Sequence, residues 1–200
     1  MFHAKATSNR QARNDALRFP SINSMHMSRI IETHRLNLRP LSPDDVEAFY
    51  QLCIEAGVRR YLFDDEILPR EQIESFLQTS TELFAAQNFG LWGVRLGDTG
   101  SLIGFCGYWF FHEPPECELL YAISARHWGN GYASEAAQAV IQYGFERLNF
   151  ERIQASADAP NTASVRVMQK LGMTFLKRQI SNGRDTVYYA LMRDAFNAGD

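Results

Sequence analysis

The stretch RHWGNGYASEAAQ, Arg126 to Gln138, sets two glycines one residue apart directly before a strongly helical segment. A short apolar run, ELLYAIS (Glu118 to Ser124), precedes it. A helix start exposes about four unpaired backbone N–H groups and roughly half a positive charge. Glycines ahead of it let the backbone approach a bulky anion, so the turn suits a phosphate or diphosphate. The same residues also serve a tight strand-to-helix turn with no ligand, and Gly-x-Gly alone does not choose between the two. A dinucleotide fingerprint fits poorly. Ser134 stands at its third Gly/Ala position, and the chain after Gly129 is short and ends in a hairpin, not in repeated parallel units. The GK[ST] of a P-loop is absent.

Other reactive side chains narrow the chemistry. The five histidines form no HExxH pair and no cluster with cysteine, so no metal is expected. Cys53, Cys106 and Cys117 are odd in number and include no CxxC, which fits reduced thiols and a cytoplasmic location. Cys117 beside Glu118 raises a covalent-acyl route, but no histidine is placed to activate it. Asp64, Asp65 and Glu66 form an acidic patch that could attract a cationic amine, though a solvated loop is the better-favoured reading.

The elements that position these residues follow from patterning. RLNLRPL alternates like a strand. SPDDVEAFYQLCIEAG reads as a helix capped by Ser42, with Pro43 at its first position and Gly57 at its end. LPREQIESFLQTSTELFAAQ is a second helix with Ile73, Phe76, Leu77, Leu83 and Phe84 on one face. VRRYLFDDEI between them lacks a period and reads as a loop. FGLWGVRL and LIGFCGYWFF flank the turn GDTGS as a hairpin, and ECELLYAIS follows the break at HEPPE. After the glycine turn come a helix to about Leu148, a strand in FERIQASAD, and a short helix in NTASVRVMQKLG. A final hairpin closes around Asn182-Gly183. The expectation is an α/β domain. It has a mixed, mostly antiparallel sheet of about seven strands, flanked by about four helices.

At 200 residues, 46% apolar and 22% charged, the chain is long enough for one well-filled core. A net charge of -3 gives no global attraction to nucleic acid, and no apolar run of membrane length occurs, so neither partner is expected. Residues 1–28 read as a mobile leader and 29–200 as the domain. The leader carries Lys5, Arg10, Arg13 and Arg18 against Asp15 and lacks a secretory apolar core; an organelle presequence remains an alternative.

AISARHWGNGYASEAAQ together with DAPNTASVRVMQKLGM resembles the GNAT superfamily of acyl-CoA N-acetyltransferases. It is most similar to the branch of ribosomal-protein alanine and serine N-terminal acetyltransferases. The likeness spans roughly residues 30–196, and the element order agrees. It implies the GNAT fold with splayed central strands, and acetyl-CoA as co-substrate. The family's Q/R-x-x-G-x-G/A loop falls on Trp128, Gly129, Asn130, Gly131, Tyr132 and Ala133, with Trp128 at the Gln/Arg position. The resemblance implies that their N–H groups hold the diphosphate, with Ser134 as a further donor and Arg126 and His127 near the adenosine end. Ile123 would pair with the pantetheine arm. Asn161 and Ser164 match the family's N-x-x-S, which implies contact with the pantetheine arm and thiol end; Asn161 also suits a helix cap.

The implied chemistry is acetyl transfer to a primary amine, a protein N-terminus in the first place. A small-molecule amine and a non-catalytic acyl-CoA sensor are the alternatives. A lysine-like amine costs roughly 4–5 kcal/mol to deprotonate at neutral pH, whereas an N-terminal amine costs only about 1–1.5 kcal/mol. Glu118 is the candidate base or amine anchor, on one strand face with Leu120 and Ala122, opposite Cys117, Leu119 and Tyr121. The family's Gly-Tyr after this Glu is here Leu120-Tyr121, which narrows the approach of an acceptor. Ser164 is the candidate proton donor to the departing thiolate; Tyr121, Tyr188 and Tyr189 are weaker ones. The aromatic runs at Tyr61 and at Tyr108 to Phe111 are expected to flank the acceptor side, with His112 and Glu113 at the surface. A monomer or homodimer is expected.

Overall fold

The computed structural model describes residues 29–111, 116–181 and 183–197. The leader, His112, Glu113 and Asn182 lie outside the described residues. Two strands, β1 (Ile31–Glu32) and β2 (Leu36–Pro40), lead through a 3-10 turn at Pro43–Asp45 into α1 (Val46–Ile54), α2 (Ala56–Leu62) and α3 (Arg70–Gln87). Then come β3 (Leu91–Leu96), β4 (Leu102–Phe111), β5 (Glu116–Ile123), α4 (Tyr132–Glu146) and β6 (Arg152–Asp158). The chain closes with α5 (Thr162–Lys170), β7 (Thr174–Ser181), β8 (Arg184–Met192) and α6 (Arg193–Asn197).

The strands form one sheet in the order β1-β2-β3-β4-β5-β6-β8-β7. Every neighbouring pair is antiparallel except β5 and β6, so the sheet is mixed and mostly antiparallel, as the patterning predicts. The eighth strand is the two-residue β1.

Each sheet face buries its own cluster. α4 places Ala136, Ala137, Val140 and Ile141 against Leu119, Ile123 and Ile153 on one face. On the other, Phe49, Leu52, Val58, Ile73, Phe76 and Leu77 from α1 to α3 cover Phe105, Trp109 and Leu120.

The stretch read as a loop contains α2. Glu55 adopts an extended ψ that ends α1, and the chain re-enters helix at Ala56. Only Val58 of the seven helical residues is buried, too few to show a period. Gly57 therefore lies inside α2 instead of ending α1. Ser42 and Pro43 open the 3-10 turn, and the α-helix starts later, at Val46.

Candidate active site

β5 and β6 pair only at Glu118↔Gln154. β4 and β8 hold the two strands on their outer edges, so beyond that pair the strands diverge. The gap opens into a cavity of about 920 Å³ lined by α2, by Leu119 to Ile123, by the turn before α4, by Ser156 to Asp158 and by the start of α5. The Ser124 N–H donates to Ile103 C=O on β4 at 2.8 Å. Strand alternation therefore turns the backbone polar groups of Ile123 and Tyr121 toward the open edge.

At one end of the cavity lies the glycine turn. Gly129 and Gly131 hold φ of 78° and 79°, a region costly for residues with a Cβ. The first helical bond of α4 runs from the Glu135 N–H to Gly131 C=O, so the N–H groups of Tyr132, Ala133 and Ser134 have no intrahelical acceptor. Trp128, Gly129, Gly131, Tyr132, Ala133 and Ser134 all line the cavity. Asn130 does not: its amide turns back to the carbonyls of His127 and Trp128, and its own carbonyl accepts from Arg35 Nη1. A carboxylate in this first turn would repel an anion, but Glu135 is drawn aside by Thr33 Oγ1 at 2.6 Å and by Arg35 Nε at 2.7 Å. Burial works against the Glu135 charge, yet these bonds outweigh it and hold the carboxyl below the usual range. The turn thus fits a diphosphate, with open amides, room at the backbone and the Glu135 charge offset by Arg35.

Trp128 departs from the family's polar residue at that position. Its indole N–H donates to Ile123 C=O at 2.7 Å. Its ring lies against α2 at Gly57, where a built Cβ would meet the indole at 2.9 Å.

At the closed end, where β5 and β6 still pair, sits Glu118, only 1% exposed. It does not line the cavity. Its Oε1 accepts from Gln154 Nε2 at 3.1 Å and its Oε2 from Ser156 Oγ at 2.5 Å. Ser156 does line the cavity, so a hydroxyl stands between the carboxylate and the open space.

Across the cavity the Tyr121 and Ser164 hydroxyls lie 2.8 Å apart, and the phenol also reaches Ser164 C=O at 3.0 Å. Burial pushes the Tyr121 phenol up, with the Ser164 bond opposing. Asn161 caps α5 through Oδ1, which accepts the Ser164 N–H at 3.2 Å, and it also lines the cavity.

α2 forms a further wall of the cavity. Glu55 fastens its start to the turn after β5, accepting from Ser124 Oγ at 3.0 Å and the Ala125 N–H at 3.3 Å. The acidic patch is largely spoken for: Asp65 pairs with Arg59 at 3.0 Å and Asp64 with Arg184, which also stands 3.7 Å from Asp158. Asp65 and Asp158 line the cavity, as does Tyr61. The run Tyr108 to Phe111 does not flank it. Tyr108 is buried with its hydroxyl on Val140 C=O, and Trp109 packs on Phe76. Tyr188 and Tyr189 are buried on β8 and do not line the cavity. Burial pushes the thiols of Cys53, Cys106 and Cys117 up, which disfavours the thiolate form a nucleophile needs. Sequence reasoning did not single out Ser156, Gln154, Glu55 or Arg35. Each is defined by a partner far away along the chain, and no local spacing marks it.

A family model described as an acetyltransferase (GNAT) domain matches residues 35–174. The chain belongs to the GNAT family. It is an acetyl-CoA-dependent acetyltransferase. Among its relatives, the uncharacterized N-acetyltransferase YoaA of Bacillus subtilis (strain 168) is 35% identical over 144 residues, 72% of this chain and 81% of that one. Spermidine N(1)-acetyltransferase of Escherichia coli (strain K12) is 27% identical over 146 residues, 70% of this chain and 74% of that one. The solved RimL, a ribosomal L7/L12 alpha-N-protein acetyltransferase in complex with coenzyme A, matches with a TM-score of 0.72 at 19% identity, over 83% of this chain and 99% of that one. That likeness concerns the fold alone. Among the described residues of this GNAT chain, no helix is long and apolar enough to cross a membrane.

Proposed function

We propose that the chain transfers the acetyl group of acetyl-CoA to a primary amine, and that this amine is a protein N-terminus. The observation that carries the reading is the Ser156 hydroxyl, set between the buried Glu118 carboxylate and the cavity. A proton leaving the amine passes to Ser156 Oγ while the Ser156 proton passes to Glu118 Oε2, so the carboxylate acts without touching the acceptor. Gln154 holds Glu118 from its other oxygen and fixes its direction. A shielded, relayed base suits an amine with pKa near 8 better than one near 10.4.

Acetyl-CoA supplies a thioester whose C–S bond breaks as the C–N bond forms. The N–H groups of Gly129 and of Gly131 to Ser134 hold its diphosphate, the open edge at Ile123 meets its pantetheine arm, and Asn161 stands beside that arm. Ser164 gives its proton to the departing thiolate as Tyr121, 2.8 Å away, passes its own to Ser164, and solvent reprotonates the phenolate once product leaves. Burial keeps that phenol protonated between turnovers.

A small polyamine is the second reading, favoured by the Asp65 and Asp158 carboxylates on the cavity wall and by the spermidine acetyltransferase relative. The deciding experiment is a panel of N-terminal peptides and small amines with thiol release as readout. Turnover with Ala- or Ser-starting peptides and none with spermidine supports the first reading. The converse supports the second, and coenzyme binding without turnover on any amine favours a sensor. The chain is proposed to act in the cytoplasm, as a monomer or homodimer.

A further inference from the structure

Trp128 is the one aromatic of the glycine turn that is both largely exposed, at 55%, and hydrogen-bonded through its ring N–H to the strand that borders the cavity. The acceptor of that bond, Ile123 C=O, faces the open edge of β5, where a second amide-bearing chain could add as a strand. The other described tryptophans are placed differently. Trp92 is buried and donates to Arg29 C=O, and Trp109 lies in the core of the opposite face.

From this geometry we infer that Trp128 is a gate on the donor site: in the free protein its indole N–H occupies the carbonyl that the pantetheine amide needs, and coenzyme must displace it to bind. The inference rests on the proposed placement of acetyl-CoA along β5. It follows from competition for one acceptor. The indole approaches Ile123 C=O from the side the cavity opens on, and Trp128 itself lines that cavity. Coenzyme binding then trades one hydrogen bond for another and gains less than an open edge would give.

The ring carries the consequence further. Its six-membered edge lies over Gly57, so it links the donor turn to α2, the proposed acceptor wall. Gly57 has no side chain where that edge lies. When the indole leaves Ile123, its contact with α2 changes as well, and the acceptor side is reset only after the donor has entered.

The test compares coenzyme A with 3′-phosphoadenosine 5′-diphosphate, which carries the same diphosphate without the pantetheine arm. In Trp128→Phe the ring remains and the N–H is gone. Coenzyme A should bind about threefold to tenfold tighter relative to that nucleotide than in the wild type, from the usual net value of one hydrogen bond. An unchanged or smaller ratio overturns the gate. In the unaltered protein, coenzyme A should move the Trp128 indole N–H resonance and speed its exchange with solvent, while the nucleotide alone should do neither. An indole that stays protected with coenzyme bound also overturns it. Gly57→Ala, which crowds the ring without altering the indole, should shift the same ratio in the same direction; no shift counts against the link to α2. If wild-type protein binds neither compound, the donor-site reading itself fails, and that result is distinct from coenzyme binding with an immobile indole.

Discussion

Tyr121 on β5 and Ser164 on α5 meet hydroxyl to hydroxyl at 2.8 Å across the cavity, tying the two elements that border the diverging strands. In the proposed mechanism the pair lets Tyr121 refill Ser164 as it donates. Ser164→Ala should lower kcat about 10²-fold with KM for acetyl-CoA little changed, because a general acid contributes on that scale. Tyr121→Phe should lower it less. The double variant should cost no more than Ser164→Ala alone, since both act in one relay. Additive losses would show the hydroxyls work apart.

Since burial holds the Tyr121 phenol protonated above the ordinary range, the alkaline limb of kcat should not arise from this tyrosine. Wild type and Tyr121→Phe should show the same limb up to about pH 10, the ordinary phenol value. A limb that vanishes in the variant would refute the assignment.

The Glu118 relay predicts that removing the hydroxyl is almost as harmful as removing the base. Glu118→Gln and Ser156→Ala should each reduce kcat/KM by about 10²-fold for the best peptide acceptor. Full turnover in Ser156→Ala would mean that Glu118 reaches the amine by another route.

The glycine turn is sensitive to a single methyl group. Nothing crowds a Cβ at Gly129, so Gly129→Ala tests backbone conformation alone. The positive φ should cost about 1–2 kcal/mol, which lowers Tm by about 2–8 °C in a domain of this size. Coenzyme affinity should fall further than stability does, measured by calorimetry at a temperature where the variant is folded.

Glu135 gives a pH signature of known sign. Its folded pKa lies below the ordinary carboxylate range, so its bonds to Arg35 and Thr33 contribute full stability above that range. The contribution disappears as acid protonates the folded carboxyl at lower pH. Arg35→Ala should flatten this part of the Tm-against-pH curve. It should also weaken coenzyme binding at neutral pH, because the freed carboxylate then stands at the anion turn.

Much of the site was legible because its signals are local. Two glycines before a helix state a backbone requirement, and the structure holds both at positive φ. Asn161 and Ser164 lie three residues apart, so cap and hydroxyl are visible in one glance along the chain. The Ser156–Glu118 contact joins residues 38 apart, and Arg35–Glu135 joins residues 100 apart. No periodicity records such pairs; only the sheet order brings them together. The aromatic run Tyr108 to Phe111 misled for the opposite reason. Its composition suits a binding wall, but central strands bury such rings on both faces. α2 escaped notice because a seven-residue helix with a single buried position leaves no stripe.

The two packing clusters touch different faces of one sheet, and β5 contributes alternate residues to each. Leu119 and Ile123 belong with α4, while Leu120 belongs with α1 to α3. On the proposed assignment, a lineage can revise the residues over Leu120 and remodel what it acetylates, while the residues under the turn proposed to grip the acyl carrier keep their own foundations. Divergence in appetite with constancy of currency is what such a partition allows.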